Sequence, residues 1–265
     1  MRTVSSRHNP LVRTFREAAE HTDGGGLRLL LDGIHLIRDA VAAGLTIDTV
    51  AVTHQLAAED STAGHFVRGL ERTNTDVVEV SESVMSSLSP VRSPSGVVAL
   101  ATRRPVTADT VCSDPRALVV AAVDVQDPGN IGALLRAAEA GGATGAVVCG
   151  ASAFPFSWKA LRGSMGSALR LPTAVTTVPH DAMTAAEAHG LRRVASVPRS
   201  GQSPEAIDWR PRTILFVGGE GAGLPDGVVR DCDDRVTIPM QAPVESLNVA
   251  VTVGLLVYEA RRQRR

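Results

Sequence analysis

Short apolar runs separated by amphipathic stretches set the rhythm of this chain. Leu27 to Leu31 reads as a buried strand that stops at Asp32-Gly33, and Ile34 to Ala43 has helical spacing up to Gly44. Strands over Ile47 to Val52, Val77 to Val80 and Gly96 to Ala101 follow the same logic. Between them, Phe66 to Glu71 fits a short helix, and Ser81 caps a helix over Glu82 to Leu88. Ahead of all these, Asn9-Pro10 precedes Leu11, Val12 and Phe15 among arginines, which predicts a basic first helix within residues 1–20, broken by Gly24-Gly25-Gly26. The alternation predicts a small α/β domain over 1–101.

From Thr102 to Arg116 the chain is polar, holds two prolines and has no periodicity, so 102–116 reads as a linker. A second domain, 117–265, opens on the near-continuous apolar run Ala117 to Val123. A helix over Ile131 to Ala140 ends at Gly141-Gly142, and a strand over Ala146 to Cys149 follows. Further strands are expected at Ala174 to Val178, Arg193 to Ser196, Thr213 to Val217 and Arg235 to Ile238. Leu247 to Arg262 forms the closing helix, apolar at Val249, Ala250, Val253, Leu256, Val257 and Ala260. Strands apolar on both faces and alternating with helices predict a parallel sheet covered on both sides.

Composition narrows the chemistry. The formal net charge is −1, so no global basic signature announces a nucleic-acid partner, and aromatic residues at 3% argue against base stacking on aromatic platforms as the main mode of recognition. Charge is unevenly placed, however. Arg2, Arg7, His8, Arg13 and Arg16 occur without an acid in the first sixteen residues, the last five read Arg-Arg-Gln-Arg-Arg, and Lys159 is the single lysine. Guanidinium suits bidentate phosphate contacts, although a codon bias toward arginine explains the same usage. Cys112, Cys149 and Cys232 are odd in number and widely spaced, which supports neither a disulfide framework nor a zinc site and fits a reducing cytoplasm. No apolar run approaches the ~20 residues a membrane span needs. The expectation is a cytoplasmic protein without a metal.

Three motifs carry the candidate chemistry. Asp127-Pro-Gly-Asn130-Ile-Gly-Ala-Leu-Leu-Arg136 lies at a strand-to-helix junction, where Asn130 would serve as an N-cap and Arg136 follows six residues later. Phe216-Val-Gly218-Gly219-Glu220-Gly-Ala-Gly223 follows a strand, but Leu224-Pro225 after it denies the helix that a dinucleotide-binding turn requires. Ile238-Pro-Met240 and Glu245-Ser246-Leu247-Asn248 read as a strand end and a helix start capped by Ser246.

In this order the three resemble motifs 1 to 3 of the SpoU (TrmH-like) RNA ribose 2′-O-methyltransferases. Lys159-Ala-Leu-Arg162-Gly-Ser164-Met-Gly166 before Leu171-Pro172 resembles a further family segment; the readings open for it are contact with substrate, a place in the subunit interface, and a solvated helix face. Ser6-Arg7-His8-Asn9-Pro10 and Leu30-Leu-Asp32-Gly33 resemble the L30e-like RNA-binding domain that precedes the methyltransferase in many members, with Asp32 where the family usually has Glu. The resemblance implies a SPOUT fold with a C-terminal trefoil knot, preceded by the smaller L30e-like α/β domain, in a homodimer. It implies methyl transfer from S-adenosylmethionine to a ribose 2′-hydroxyl, with 23S ribosomal RNA preferred. A transfer RNA enzyme and a non-catalytic RNA-binding or ribosome-assembly protein are the alternatives. By resemblance the catalytic set is Arg136, Asn130, Glu220, Ser246 and Asn248. Gly218, Gly219, Ile238, Met240, Ser246 and Leu247 would hold the cofactor, and Arg7, Arg13, Arg136 and Arg162 would contact RNA.

Overall fold

The computed structural model describes residues 1–20, 27–73 and 75–265, so the expected break at Gly24 to Gly26 lies outside the described residues. The chain divides into two compact units, one of residues 1–105 with 156–162, the other of 106–155 with 163–265.

In the first unit the elements run β1 (Arg2–Val4), α1 (Pro10–Glu20), β2 (Arg28–Asp32), α2 (Ile34–Ala42), β3 (Thr46–Thr53), α3 (His54–Ala58), α4 (Thr62–Leu70), β4 (Asp76–Val80), α5 (Glu82–Leu88) and β5 (Val97–Thr102). The strands form one mixed sheet in the order β1-β4-β3-β5-β2, with β5 antiparallel to both neighbours. Its core places Val12, Phe15 and Ala18 of α1 and Val84, Met85 and Leu88 of α5 over Leu30, Ala51, Val78 and Val98. Ser81 caps α5 as its sequence position predicts, accepting from the Val84 amide. Strand β1 escaped the pattern because three residues with one buried position carry no period; it exists through its parallel pairing with β4.

The second unit contains α6 (Ala108–Cys112), β6 (Leu118–Val123), α7 (Pro128–Gly141), β7 (Gly145–Cys149), α8 (Trp158–Ser164), α9 (Ser167–Arg170), β8 (Thr173–Thr176), α10 (Pro179–Ala188), β9 (Arg192–Ser196), β10 (Thr213–Gly218), α11 (Asp226–Asp231), β11 (Asp234–Val236) and α12 (Val249–Gln263), with the first part of α8 grouped in the first unit. Six strands form an all-parallel sheet in the order β11-β9-β10-β6-β7-β8. Every residue of β6 and of β7 is buried, as a sheet covered on both faces demands. The polar stretch read as a linker supplies α6, whose Ala108, Val111 and Cys112 join the core of this unit beside Val119, Ala121 and Ala186 of β6 and α10. Strand β11 ends at Val236, short of the expected Ile238, and α12 begins at Val249, after the expected Leu247. Burial raises the thiol of Cys112 to about 11 and those of Cys149 and Cys232 to about 12, and all three are free.

Arginines tie the ends of this unit together. Arg264 donates to the carbonyls of Trp209, Arg116, Ala117 and Pro211, and Arg212 donates to those of Cys112, Asp114 and His189. Burial lowers the pKa of Arg264, which remains a cation. Part of the C-terminal arginine run is therefore a carbonyl clamp. Arg264→Ala should destabilise the second unit by about 3 kcal/mol, because several carbonyls lose a charged donor together. Urea unfolding followed by the emission of buried Trp209, in a Trp158→Phe background, measures this; Arg264→Lys should recover only part of the loss, since an ammonium cannot span four carbonyls.

Candidate active site

Strands β6 and β10 are neighbours in the sheet, yet the chain continues from β6 to β7 on one side, while β9 lies on the other side of β10. Loops leaving the carboxyl ends of such a pair diverge and open a crevice, the usual ligand position in a parallel α/β sheet. The loop after β6 carries Asp124 to Asp127 and leads into the first turn of α7 with Asn130, and the loop after β10 carries Gly219 to Leu224. Both belong to motifs singled out from the sequence.

Close backbone packing explains the glycines. A Cβ on Gly219 would lie 2.0 Å from the Asp124 carbonyl oxygen, and one on Gly218 would lie 2.2 Å from the Gly223 carbonyl carbon. The loop thus folds onto itself, with Gly223 donating to the Gly219 carbonyl, and presses on the end of β6. Asp124 takes a left-handed backbone (φ 56°), and its Oδ1 accepts from the Ala151 amide at 2.7 Å. The third segment arrives along the first residues after β9. Val197 donates to the Val236 carbonyl, Gln202 to that of Arg235, and Thr237 to that of Gln202.

These segments enclose a cavity of about 500 Å³ lined by Ser196 to Pro198, Gly218 to Gly221, Ile238, Met240 and Ser246 to Val249. A second cavity of about 420 Å³ adjoins it, lined by Asp124 to Asp127, Asn130, Glu220 and Ala222. Gly219, Glu220 and Gly223 stand in the walls of both. Across this shared wall runs a relay of side chains from all three motifs. Asn248 Nδ2 donates to Asn130 Oδ1 at 2.9 Å, and Asn130 Nδ2 donates to Glu220 Oε1 at 2.5 Å. Arg199 and Glu245 form an exposed ion pair at 3.0 Å beside the lining residues Pro198 and Ser246.

All six residues expected around a cofactor, Gly218, Gly219, Ile238, Met240, Ser246 and Leu247, line the larger cavity, together with Glu220 and Asn248. Two capping expectations are corrected. Asp127, not Asn130, caps α7, accepting from the Asn130 amide at 2.8 Å, and this leaves the Asn130 side chain free for the relay. Asn248, not Ser246, caps α12, accepting from the Ala250 amide at 2.9 Å. A cap sits where the backbone leaves helical geometry, and that point fell later in one motif and earlier in the other. Arg136 is exposed on α7 and lines neither cavity. Arg7 donates to the Ser83 carbonyl and Arg13 faces Glu17 at 3.5 Å, both in the first unit. Arg162 is exposed on α8. Sequence reasoning missed Ser196 to Pro198, Asp124 and Thr252; for the first two, the end of an apolar strand was the available signal. Among the described residues no group of three or more His, Cys, Asp or Glu could hold a metal ion, and no helix is long and apolar enough to cross a membrane.

Comparison with known proteins gives a consistent result. The family model described as the SpoU rRNA methylase family matches residues 117–258, and one described as an MRM3-like substrate binding domain matches residues 26–99. The chain is 33% identical to an uncharacterized tRNA/rRNA methyltransferase of Synechocystis sp., over 99% of this chain and 94% of that protein. It is 26% identical to the 23S rRNA (guanosine(2553)-2′-O)-methyltransferase RlmP of Bacillus subtilis, over 98% of this chain and 100% of that protein. Among solved structures, an AdoMet-bound rRNA methyltransferase from Sinorhizobium meliloti superposes with a TM-score of 0.87 at 28% identity, covering 98% of this chain and 97% of that one. The SpoU methyltransferase AviRb from Streptomyces viridochromogenes, in complex with AdoMet, gives 0.87 at 28% identity, covering 97% and 98%.

Gly219→Ala tests the geometry directly. The added methyl must push the loop off Asp124, so affinity for S-adenosylmethionine in the larger cavity should fall at least about tenfold while the helical content stays unchanged. Calorimetry and circular dichroism on the same sample read both quantities.

Proposed function

This chain belongs to the SpoU rRNA methylase family, and on that premise we propose that it transfers the methyl group of S-adenosylmethionine to a ribose 2′-hydroxyl of RNA, 23S ribosomal RNA being the substrate. The observation that carries this reading is the convergence of three distant motifs on one cavity, with Glu220 at its junction with a second. The cavity fits the cofactor: its volume is that of a small-molecule site, Val217, Ile238, Leu247 and Val249 offer apolar walls to a flat heterocycle, and the glycine loop and Ser246 offer polar groups. The substrate preference draws on the Bacillus subtilis relative and on the match of residues 26–99.

When bound, S-adenosylmethionine supplies an electrophilic methyl group, so the protein's task is alignment and management of one proton. Gly218, Gly219, Ile238, Met240, Ser246 and Leu247 hold the cofactor. The relay from Asn248 through Asn130 fixes the Glu220 carboxylate where the two cavities meet, giving these three side chains one shared orientation. Arg136 clamps the RNA phosphate and stabilises the developing alkoxide, whose proton passes to solvent water as the methyl leaves the sulfonium; with a reference pKa above about 12 a guanidinium serves poorly as a base but well as an electrostatic partner.

Arg136 lies about a third of a turn around α7 from Asn130, away from the chain's own cavities. We read it as completing the site of a second copy in a homodimer. Val251, Leu255 and Tyr258 support this: they form an apolar stripe on α12 at helical spacing, each about half exposed. Membership of the family supports a knotted path for the C-terminal segment. Three free cysteines, two of them buried, fit a cytoplasmic location beside the ribosomal substrate.

Incubation with tritiated S-adenosylmethionine and large-subunit RNA transcript should place label in a 2′-O-methyl nucleoside. Label in transfer RNA would move the substrate, label on a base would overturn the acceptor chemistry, and no label with cofactor bound would favour a non-catalytic role. Arg136→Ala should lower kcat at least about a hundredfold with the cofactor Kd within twofold. Leu255→Glu should yield monomers in sedimentation analysis and abolish turnover.

A further inference from the structure

One residue near the proposed site is held against two preferences at once. Met165, in the turn between α8 and α9, has φ 51° in the left-handed region, where L side chains are disfavoured and glycine fits freely. The residue is also 61% exposed, the highest value among the described large apolar residues. Glycine at this position would relieve both conflicts. Backbone strain retained at an exposed position is characteristic of ligand-contacting sites.

The fold places this turn beside Arg136. A Cβ on Gly163 would lie 3.3 Å from the Gly129 carbonyl oxygen and 3.6 Å from the Gly132 Cα, so the chain entering the turn is packed on the start of α7. On its far side, Arg170 pairs with Glu139 at 2.8 and 2.9 Å, and the same guanidinium donates to the Met165 carbonyl at 3.4 Å. Gly129, Gly132, Arg136 and Glu139 fall within about a quarter-turn of one face of α7. Arg136 therefore lies on α7 between the two points that fix the turn, and both it and Met165 are exposed.

Resting on the RNA-methyltransferase reading above, we propose that Met165 is an apolar wedge that packs against a nucleobase at or next to the acceptor nucleotide while Arg136 holds the adjoining phosphate. The acceptor ribose must leave the regular stack to reach a recessed site, and the exposed face of its base or its neighbour then needs an apolar partner. An unbranched, polarisable thioether contacts any base face without demanding a sequence. With aromatic residues at only 3%, this chain has few stacking platforms to use instead.

Met165→Gly and Met165→Leu, compared with wild type on large-subunit RNA transcript and tritiated S-adenosylmethionine, test the proposal. Met165→Gly should melt at the same temperature or higher, bind cofactor within twofold of wild type, and lose about tenfold in kcat/KM for RNA. Met165→Leu should stay within about threefold. A glycine variant with wild-type kcat/KM would overturn the wedge, as would one whose sedimentation shifts toward monomer, since the side chain would then belong to an interface between copies. Absence of label in RNA from the wild-type enzyme would instead overturn the methyltransferase reading, and the wedge with it.

Discussion

The parallel pairing of β6 with β10 is the constraint from which the rest of the second unit follows. Leu118 to Val123 run in register with Thr213 to Gly218, although about ninety residues of chain separate them. That pairing brings two carboxyl-terminal loops together where the chain turns to opposite sides of the sheet, and the crevice between them is a geometric consequence. The glycines of the second loop then serve the protein before they serve any ligand. Gly219 rests on the Asp124 carbonyl, and Gly218 faces the returning backbone of Gly223. A loop so tightly folded holds Glu220 at the rim of both cavities, where Asn130 meets its carboxylate.

Polar chemistry at the site depends on which groups are already satisfied. Because Asp127 caps α7, Asn130 is released to bridge Asn248 and Glu220; because Asn248 caps α12 with its oxygen, its amide nitrogen remains to donate to Asn130. Asn130 therefore connects two elements far apart in sequence through both ends of one amide, and Asn248 joins its own helix start to the first motif. Arginine divides in the same way. Arg212 and Arg264 are absorbed by backbone carbonyls and Arg170 by Glu139, whereas Arg136 keeps an exposed guanidinium on the motif helix. In a chain of net charge −1, where an uncommitted cation stands is a property of the fold, and composition does not report it.

Much of this was legible before the structure. The apolar strands β2, β3, β5, β6, β7 and β10, the helices α2, α5, α7 and α12, and the six cavity-lining residues of the cofactor set were all marked by runs, breaks and motif order. Three of the elements that escaped, β1, α6 and α10, show the physical reason. Strand β1 is held only by its partner, α6 is five residues whose buried positions are Ala, Val and Cys among polar neighbours, and the alanine-rich α10 has small residues on its buried face, too weakly apolar to declare a period.

By itself the sequence determined the periodicities, the stops and the three clusters of chemistry-bearing residues, because hydrophobic period and backbone permissiveness are local properties. Only the tertiary structure decided that β10 lies beside β6 and that Asp127 and Asn248 are the caps. It likewise decided that Asn130 reaches Glu220 and that Met165 takes a left-handed backbone in a turn anchored on α7. These depend on which distant segments compete for the same space and the same hydrogen bonds, and that competition is settled when the sheet assembles.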